Sequence, residues 1–168
     1  GAKRDADGYY WITGRVDEAT AALLGLAKQD PPTTPTPGSV TVAVFPVQGS
    51  CSFVDTWLAA RSGGRQHLGV DIIAPQGKAI YAVVDGTISK LYADYPGSLS
   101  GNGVRLSQPD GTYFFYAHML SLAPGVTLGT PVKAGQIIGF VGSTGSSSTN
   151  HLHLEVHPKG GSAINPYP

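Results

Sequence analysis

From residue 40 onward, turn-forming residues divide the sequence into short segments in which apolar and polar residues alternate. Alternation with a period of two places one set of side chains on each face of a strand, and the turn residues between segments predict hairpins. The predicted strands and hairpins are 41–45, 79–93 around Asp85-Gly86, 104–119 around Pro109-Asp110-Gly111, 136–142 and 151–157. Connections this short leave no room for crossover helices, so the sequence predicts antiparallel sheets.

The composition agrees with many short strands joined by tight turns. The 168 residues include 23 glycines and 13 prolines, and charged residues make up 13% of the chain, against a usual share of about 25%. A chain of this length buries one core, with a small appendage at most. We therefore predict a mainly β protein with antiparallel sheets, plus one short N-terminal helix.

The amino-terminal segment differs from the rest of the chain. Apolar residues within 11–26 are spaced for one short helix, with Asp17 as its N-cap. The following stretch, QDPPTTPTPGS at 29–39, has the proline and threonine content of an extended spacer. These patterns predict a helical segment at 1–28, a linker at 29–39 and the main domain at 40–168.

Charge and apolar patterning exclude several classes of partner. Lys and Arg, 11 in all, balance 11 Asp and Glu, so the chain lacks the broad basic surface that nucleic acid selects. No stretch approaches the roughly eighteen consecutive apolar residues of a membrane span, so we expect no membrane insertion. Cys51 is the single cysteine, so nitrogen and oxygen ligands would have to hold any zinc ion. Because the sequence starts at Gly1 rather than at methionine, we expect a processed product.

Three histidines lie close together in the stretch STNHLHLEVHP at 148–158. In a strand, His151, His153 and His157 share one face, while the intervening leucines and Val156 face the core. The histidine face then either lines a groove or is a polar face exposed to solvent. Two histidines alone do not supply the ligands that zinc needs.

A histidine and an aspartate earlier in the chain supply further donor atoms. His67 and Asp71 are four residues apart in RQHLGVDIIAP, and this even offset places both side chains on one face of an extended segment. Hydrophobic residues flank Asp71, and a buried aspartate must be paired or bound to metal. With one or both of His151 and His153, these residues form the two-nitrogen, one-oxygen set of a catalytic zinc site that keeps a position open for water. The alternative is a set of scattered surface histidines and one hydrogen-bonded aspartate.

His118 ends a strongly aromatic segment, FFYAHM. By itself it is typical of a core histidine that is hydrogen-bonded to the backbone. Tyr113 and Tyr116 precede it, and their rings serve either core packing or the wall of a groove. Glu155 follows His153 by two residues and shares its face, but the sequence assigns it no role.

Three motifs occur in order: HLGVD (67–71), YAH (116–118) and HLH (151–153), with VKAGQIIGFVGSTG (132–145) before the last. This combination closely resembles the lysostaphin-type, or LytM-like, zinc endopeptidases of bacterial cell walls, from about Phe45 to the end of the chain. The resemblance implies a compact antiparallel β-sheet domain with a loop-walled groove, and Zn²⁺ as the cofactor. The residues that it implies are His67, Asp71 and His153 as the zinc ligands and His118 and His151 as the catalytic pair.

The resemblance also implies a substrate and a location. The substrate would be a peptide cross-bridge or stem peptide of peptidoglycan, and the protein would be secreted or associated with the cell wall. Asn150 stands where the family often has proline before the H-x-H motif. The early segment TGRVDEATAALLGL resembles the closing part of a helical peptidoglycan-binding module.

Two other functions compete with a zinc endopeptidase. A non-catalytic peptidoglycan-binding or regulatory domain can share a fold without sharing its chemistry. Such a domain is expected to have lost ligands, whereas this sequence retains all five implied residues. A metalloenzyme of another hydrolase class, such as an amidase acting at the sugar–peptide junction, would break a different bond.

Overall fold

The computed structural model describes residues 40–167 and, before them, three strands of two residues each. The chain divides into two compact units, Gly1–Ala43 and Val44–Pro168. In the first unit, the described strands are β1 (Lys3–Arg4), β2 (Tyr10–Trp11) and β3 (Arg15–Val16). They form an antiparallel sheet in the order β1-β2-β3.

Strands β2 and β3 occupy the beginning of the helix predicted within 11–26, so the predicted helix does not include those positions. Three residues ending in Gly14 separate the two strands, a spacing that is typical of a β-hairpin. The rest of the predicted helix, with its N-cap at Asp17, lies outside the described residues. The predicted linker at 29–39 also lies outside them, and the predicted domain boundaries stay a prediction.

The described residues of the second unit form ten strands. They are β4 (Ala60–Arg61), β5 (Arg65–Gln66), β6 (Val70–Ile73), β7 (Ala79–Tyr81), β8 (Gly86–Tyr92), β9 (Asn102–Ser107), β10 (Tyr113–Leu122), β11 (Pro131–Val132), β12 (Ile137–Val141) and β13 (His151–His157). Eight of them form one sheet in the order β11-β8-β9-β10-β12-β7, with β13 pairing with both β10 and β6. Every pairing between these strands is antiparallel, so the predicted mainly β fold with an antiparallel sheet is confirmed.

Short 3-10 helices make two corners of the second unit. They are Ser62–Gly64, between β4 and β5, and Pro158–Gly160, after β13. Among the described residues, no helix is long and apolar enough to span a membrane.

One of the two predicted hairpins forms, and the other does not. β9 and β10 pair as the segment 104–119 predicts. By contrast, β7 pairs with β12 whereas β8 pairs with β9 and β11, so the hairpin predicted at 79–93 is wrong. The reason is visible at Asp85, whose carboxylate accepts hydrogen bonds from Lys133 Nζ (2.7 Å) and Ala134 N (2.8 Å). The turn residues there tie the chain to a distant segment instead of closing a tight hairpin.

The strand predicted at 41–45 is also wrong. Residues 41–43 are exposed, and the nearest isolated bridge joins Val47 to Ile80 instead. Val44 donates a single backbone hydrogen bond, to the carbonyl oxygen of Val83 (3.3 Å). β-branched residues favour a strand only where their side chains pack against neighbours, and these side chains remain largely in solvent.

β13 separates the core from the face of the sheet that carries the histidines. Leu152, Leu154 and Val156 point into the core and are 0%, 4% and 3% exposed, as the alternation predicts. Tyr116 of β10 is also fully buried there, and its hydroxyl oxygen accepts a hydrogen bond from the N–H of Val83 (3.0 Å). Tyr116 is therefore a core residue and not part of a groove wall.

Candidate metal centre

The antiparallel pairing of β6 with β13 places Asp71 directly opposite His153. His67 lies between β5 and β6, four residues before Asp71. His67 Nε2 is 3.0 Å from Asp71 Oδ1 and 2.9 Å from His153 Nδ1, and the latter two atoms are 2.9 Å apart. One ion at the usual zinc–ligand distance of about 2.0–2.2 Å can reach all three atoms.

The outer ring nitrogens of both ligand candidates already have hydrogen-bond acceptors. Nδ1 of His67 donates to the carbonyl oxygen of Thr56 (3.0 Å), and Nε2 of His153 donates to Glu155 Oε1 (3.0 Å). A neutral imidazole carries one proton, so His67 Nε2 and His153 Nδ1 turn lone pairs toward Asp71. Three acceptor atoms at this separation repel one another unless a positive charge lies among them. The residues therefore fit a divalent cation, and two imidazole nitrogens with one carboxylate oxygen are a donor set of catalytic zinc.

The charges around Asp71 favour a positive charge at the same point. Burial alone would raise the pKa of Asp71. With no cation present, protons on the facing nitrogens of His153 and His67 supply the positive charge instead, and their hydrogen bonds outweigh burial and hold that pKa far below its usual range. Burial alone would lower the pKa of His153, but the carboxylates of Asp71 and Glu155 on its two sides raise it. Arg61 Nη2 contacts the outer oxygen of Asp71, Oδ2, at 2.5 Å, which leaves Oδ1 to face the histidines.

Gly69 allows β6 and β13 to approach each other beside these ligands. A Cβ atom at this position would lie 2.4 Å from the carbonyl oxygen of Leu154 and 2.9 Å from Cε1 of His153. A side chain would therefore press on both the partner strand and a candidate ligand. The glycine of the H-L-G-V-D motif is required by this close contact.

A β-bulge brings His118 to the face of the sheet that carries the candidate ligands. The register of β10 shifts after Tyr116, and His118 has a φ of 61°, in the left-handed region. Ala117 pairs with His153 and lies on the histidine face, so strict alternation would turn the side chain of His118 to the core. The bulge turns its ring to the histidine face instead. The ring centroid lies 4.6 Å from that of His151 and 6.0 Å from that of His153. This conformation costs a non-glycine residue about 1–2 kcal/mol, so the surrounding structure must hold it.

Loop carbonyl oxygens fix the rings of His118 and His151. Nδ1 of His118 donates to the carbonyl oxygen of Thr144 (2.8 Å), and Nδ1 of His151 donates to that of Thr149 (2.9 Å). Each neutral ring thus carries its lone pair on Nε2. His151 Nε2 lies 3.6 Å from Asp71 Oδ1. Burial lowers the pKa of His118 to about 4, so this ring is neutral at pH 7.

The structure brings all five implied residues together, but it corrects two sequence-based alternatives. The histidine face of β13 is not exposed to solvent, since His151, His153 and His157 are 7%, 9% and 9% exposed beneath the surrounding loops and side chains. The ring of His118 forms a hydrogen bond with the backbone, as the alternative of a core histidine expects. His118 is nevertheless not a core residue, because it is half-buried and its ring faces the other histidines. Of the H-x-H pair, only His153 joins His67 and Asp71 in the three-atom cluster.

Several supporting residues were not predicted. Thr144 acts through its backbone carbonyl oxygen, which no side-chain pattern reveals. Thr56 contacts Nδ1 of His67 through both its carbonyl oxygen (3.0 Å) and its hydroxyl oxygen (2.9 Å). Glu155 shares a face with His153, as the alternation predicts. This shared face is the feature of the sequence that indicates the contact between the two side chains. Tyr113 is half-buried on the histidine face, where its ring stacks on that of His157 with centroids 4.2 Å apart.

The model of peptidase family M23 matches residues 65–166, a range that includes every histidine and aspartate of this centre. The chain belongs to peptidase family M23. The resemblance to lysostaphin-type enzymes is therefore confirmed, and the domain belongs to a family that acts on peptidoglycan.

This M23 domain is similar to proteins named for different activities. The DD-carboxypeptidase/endopeptidase Mpg of Neisseria meningitidis is 39% identical over 104 residues, which are 61% of this chain and 22% of that protein. The murein hydrolase activator NlpD of Salmonella typhimurium is 32% identical over 147 residues, 88% of this chain and 36% of that protein. The solved catalytic domain of lysostaphin from Staphylococcus simulans is 33% identical with a TM-score of 0.56, over 68% of this chain and 86% of that domain. The chain thus spans well under half the length of either full-length relative.

Proposed function

We propose that this M23 chain is a zinc-dependent endopeptidase that hydrolyses peptide bonds in a cross-bridge or stem peptide of peptidoglycan. The observation that carries the proposal is the convergence of donor atoms from His67, Asp71 and His153 beside two histidines whose rings are fixed. Zn²⁺ held by these residues would polarise the scissile carbonyl group and lower the pKa of a water molecule toward about 7. Such a substrate places the protein outside the cytoplasm, secreted or at the cell wall.

His118 is suited to accept a proton. Its Nδ1 proton is committed to the carbonyl oxygen of Thr144, so Nε2 is the acceptor that remains. Burial, which sets its pKa at about 4, keeps that acceptor unprotonated at neutral pH. A general base must be in its unprotonated form before it acts.

His151 is suited to donate a proton. Its Nδ1 proton is held by the carbonyl oxygen of Thr149, and its Nε2 faces the candidate metal ligands, 3.6 Å from Asp71 Oδ1. A protonated ring at this position can stabilise the developing oxyanion or supply a proton to the leaving amine. In the proposed division of roles, His118 is therefore the base and His151 the acid.

The extent of similarity to NlpD supports a second function, because that alignment covers 88% of this chain. A murein hydrolase activator would bind the wall or a hydrolase without cutting a peptide. The complete donor set favours the enzyme, since binding alone does not require three converging donor atoms and two oriented imidazoles.

The test is to incubate the purified chain, with its zinc content measured on the same sample, with isolated peptidoglycan and to identify the products by mass spectrometry. We expect fragments with new peptide ends, which disappear after chelation of zinc and in the variant His118→Ala. If the chain alone releases no fragments but makes an added hydrolase release them faster, the chain is an activator. Cleavage of the lactyl amide would identify an amidase, and full activity without zinc would contradict the metal mechanism.

A further inference from the structure

A chain of hydrogen bonds continues along β13 behind the candidate ligand His153. Glu155 Oε1 accepts from His153 Nε2 (3.0 Å), and Glu155 Oε2 accepts from His157 Nε2 (2.7 Å). Nδ1 of His157 in turn donates to the carbonyl oxygen of Gly161 (2.9 Å). The side chains of Glu155 and His157 are only 17% and 11% exposed, so solvent does not replace these bonds easily.

The partners of His157 determine its protonation state. A carboxylate and a carbonyl oxygen are acceptors only, and they lie against the two ring nitrogens of His157. A neutral imidazole can donate from one nitrogen, so the ring satisfies both partners only as an imidazolium. The ring of Tyr113 lies parallel to it, with centroids 4.2 Å apart and planes 12° apart, which places an aromatic face over the cation.

This arrangement leaves Glu155 one orientation. With Oε2 held by the His157 cation, Oε1 remains to accept the proton of His153 Nε2. That bond places the proton of His153 on Nε2 and its lone pair on Nδ1, the nitrogen that lies 2.9 Å from both His67 Nε2 and Asp71 Oδ1. Acceptors on the outer nitrogen of a ligating histidine fix its tautomer and ring orientation.

We propose that Glu155 and His157 are positioning residues that set the ring of His153 for metal binding, with His157 acting only through Glu155. The proposal rests on the proposed zinc site. An ordinary buried ion pair would stabilise the fold and leave the affinity for metal unchanged. Zinc affinity therefore separates the two roles.

The experiment measures zinc dissociation constants of the whole chain by competition with a chromophoric chelator. Cobalt-substituted protein adds an absorption spectrum that reports the geometry of the ligands. We expect Glu155→Ala to weaken zinc binding by about 10–100-fold and His157→Ala to weaken it less. The double variant should resemble Glu155→Ala alone, because residues that act as one unit are not additive. His157→Arg, which restores a cation with several donors, should recover most of the affinity.

The matched control is Val132→Ala, a core substitution in β11 that removes buried apolar surface without touching the bonded chain. If Glu155→Ala does not fold, Glu155→Met keeps much of the length of the side chain, removes both acceptor oxygens and replaces it in the series. Variants that bind zinc as tightly as Val132→Ala, in a wild type that binds zinc, would overturn this inference alone. A wild type that binds no zinc would overturn the proposed function together with it.

Discussion

Replacing Gly69 by alanine should separate the two strands that carry the candidate metal ligands. The added Cβ would lie 2.4 Å from the carbonyl oxygen of Leu154, about 1 Å inside ordinary van der Waals contact, and 2.9 Å from Cε1 of His153. The carbonyl belongs to a paired strand and cannot rotate away, so β6 must move relative to β13. Since β6 carries Asp71 and β13 carries His153, the same movement shifts one ligand from the other.

The expected cost has two parts. Overpacking of this kind lowers the free energy of unfolding by about 1–3 kcal/mol, measured by urea denaturation of the metal-free protein. Zinc affinity should fall by at least about 10-fold, as happens when the support of a ligand is disturbed.

Gly86→Ala provides the matched control for this prediction. Its Cβ would lie 2.6 Å from the carbonyl oxygen of Ser107 and 2.9 Å from Cδ1 of Leu106, a comparable clash between β8 and β9. None of the candidate ligands lies on these two strands. We expect a similar loss of stability with unchanged zinc affinity. Equal zinc affinity in the two variants would refute the reasoning from close strand contact.

Other substitutions and a titration test separate parts of the structure. His118→Ala and His151→Ala should each bind zinc as the wild type does but lose about 10²–10⁴-fold in turnover, by zinc analysis and the peptidoglycan assay; a normal rate would contradict their roles. Tyr116→Phe should cost about 1–3 kcal/mol in urea denaturation without changing zinc affinity, because the buried N–H of Val83 loses its acceptor. In metal-free protein, burial should make the ring of His118 titrate near pH 4 by NMR, instead of near 6.5. The unfolded chain protonates His118 at the higher pH, so this residue lowers the free energy of unfolding as pH falls from 6.5 to about 4. An NMR midpoint near 6.5 would contradict the expected effect of burial.

The alternation of apolar and polar residues was enough to predict β13, the strand that carries three of the histidines. The alternation of 151–157 correctly separates the leucine face from the histidine face, because a strand with one face in the core permits one register. Asp71 stood out for a related reason, as a carboxylate between apolar residues of a strand.

The remaining features depend on contacts that local patterns do not encode. Asp85-Gly86 has the composition of a hairpin turn, yet the partner of Asp85 is Lys133, far along the chain. The bulge at His118 adds one residue to an otherwise regular strand, so strict alternation assigns its side chain to the wrong face. The second acceptor at the ring of His157 is the carbonyl oxygen of Gly161, which lies beyond the strand.

For the proposed zinc enzyme, the sequence separation of the three candidate ligands determines when metal could bind during synthesis. His67 and Asp71 precede His153 by 86 and 82 residues, so the ribosome releases two of the three ligand candidates long before the third. A nascent chain that ends before β13 lacks His153, the third candidate ligand, and the strand that aligns it with Asp71. In the proposed zinc enzyme, metal uptake is therefore a late event of biosynthesis, and incomplete translation products lack a complete set of ligands.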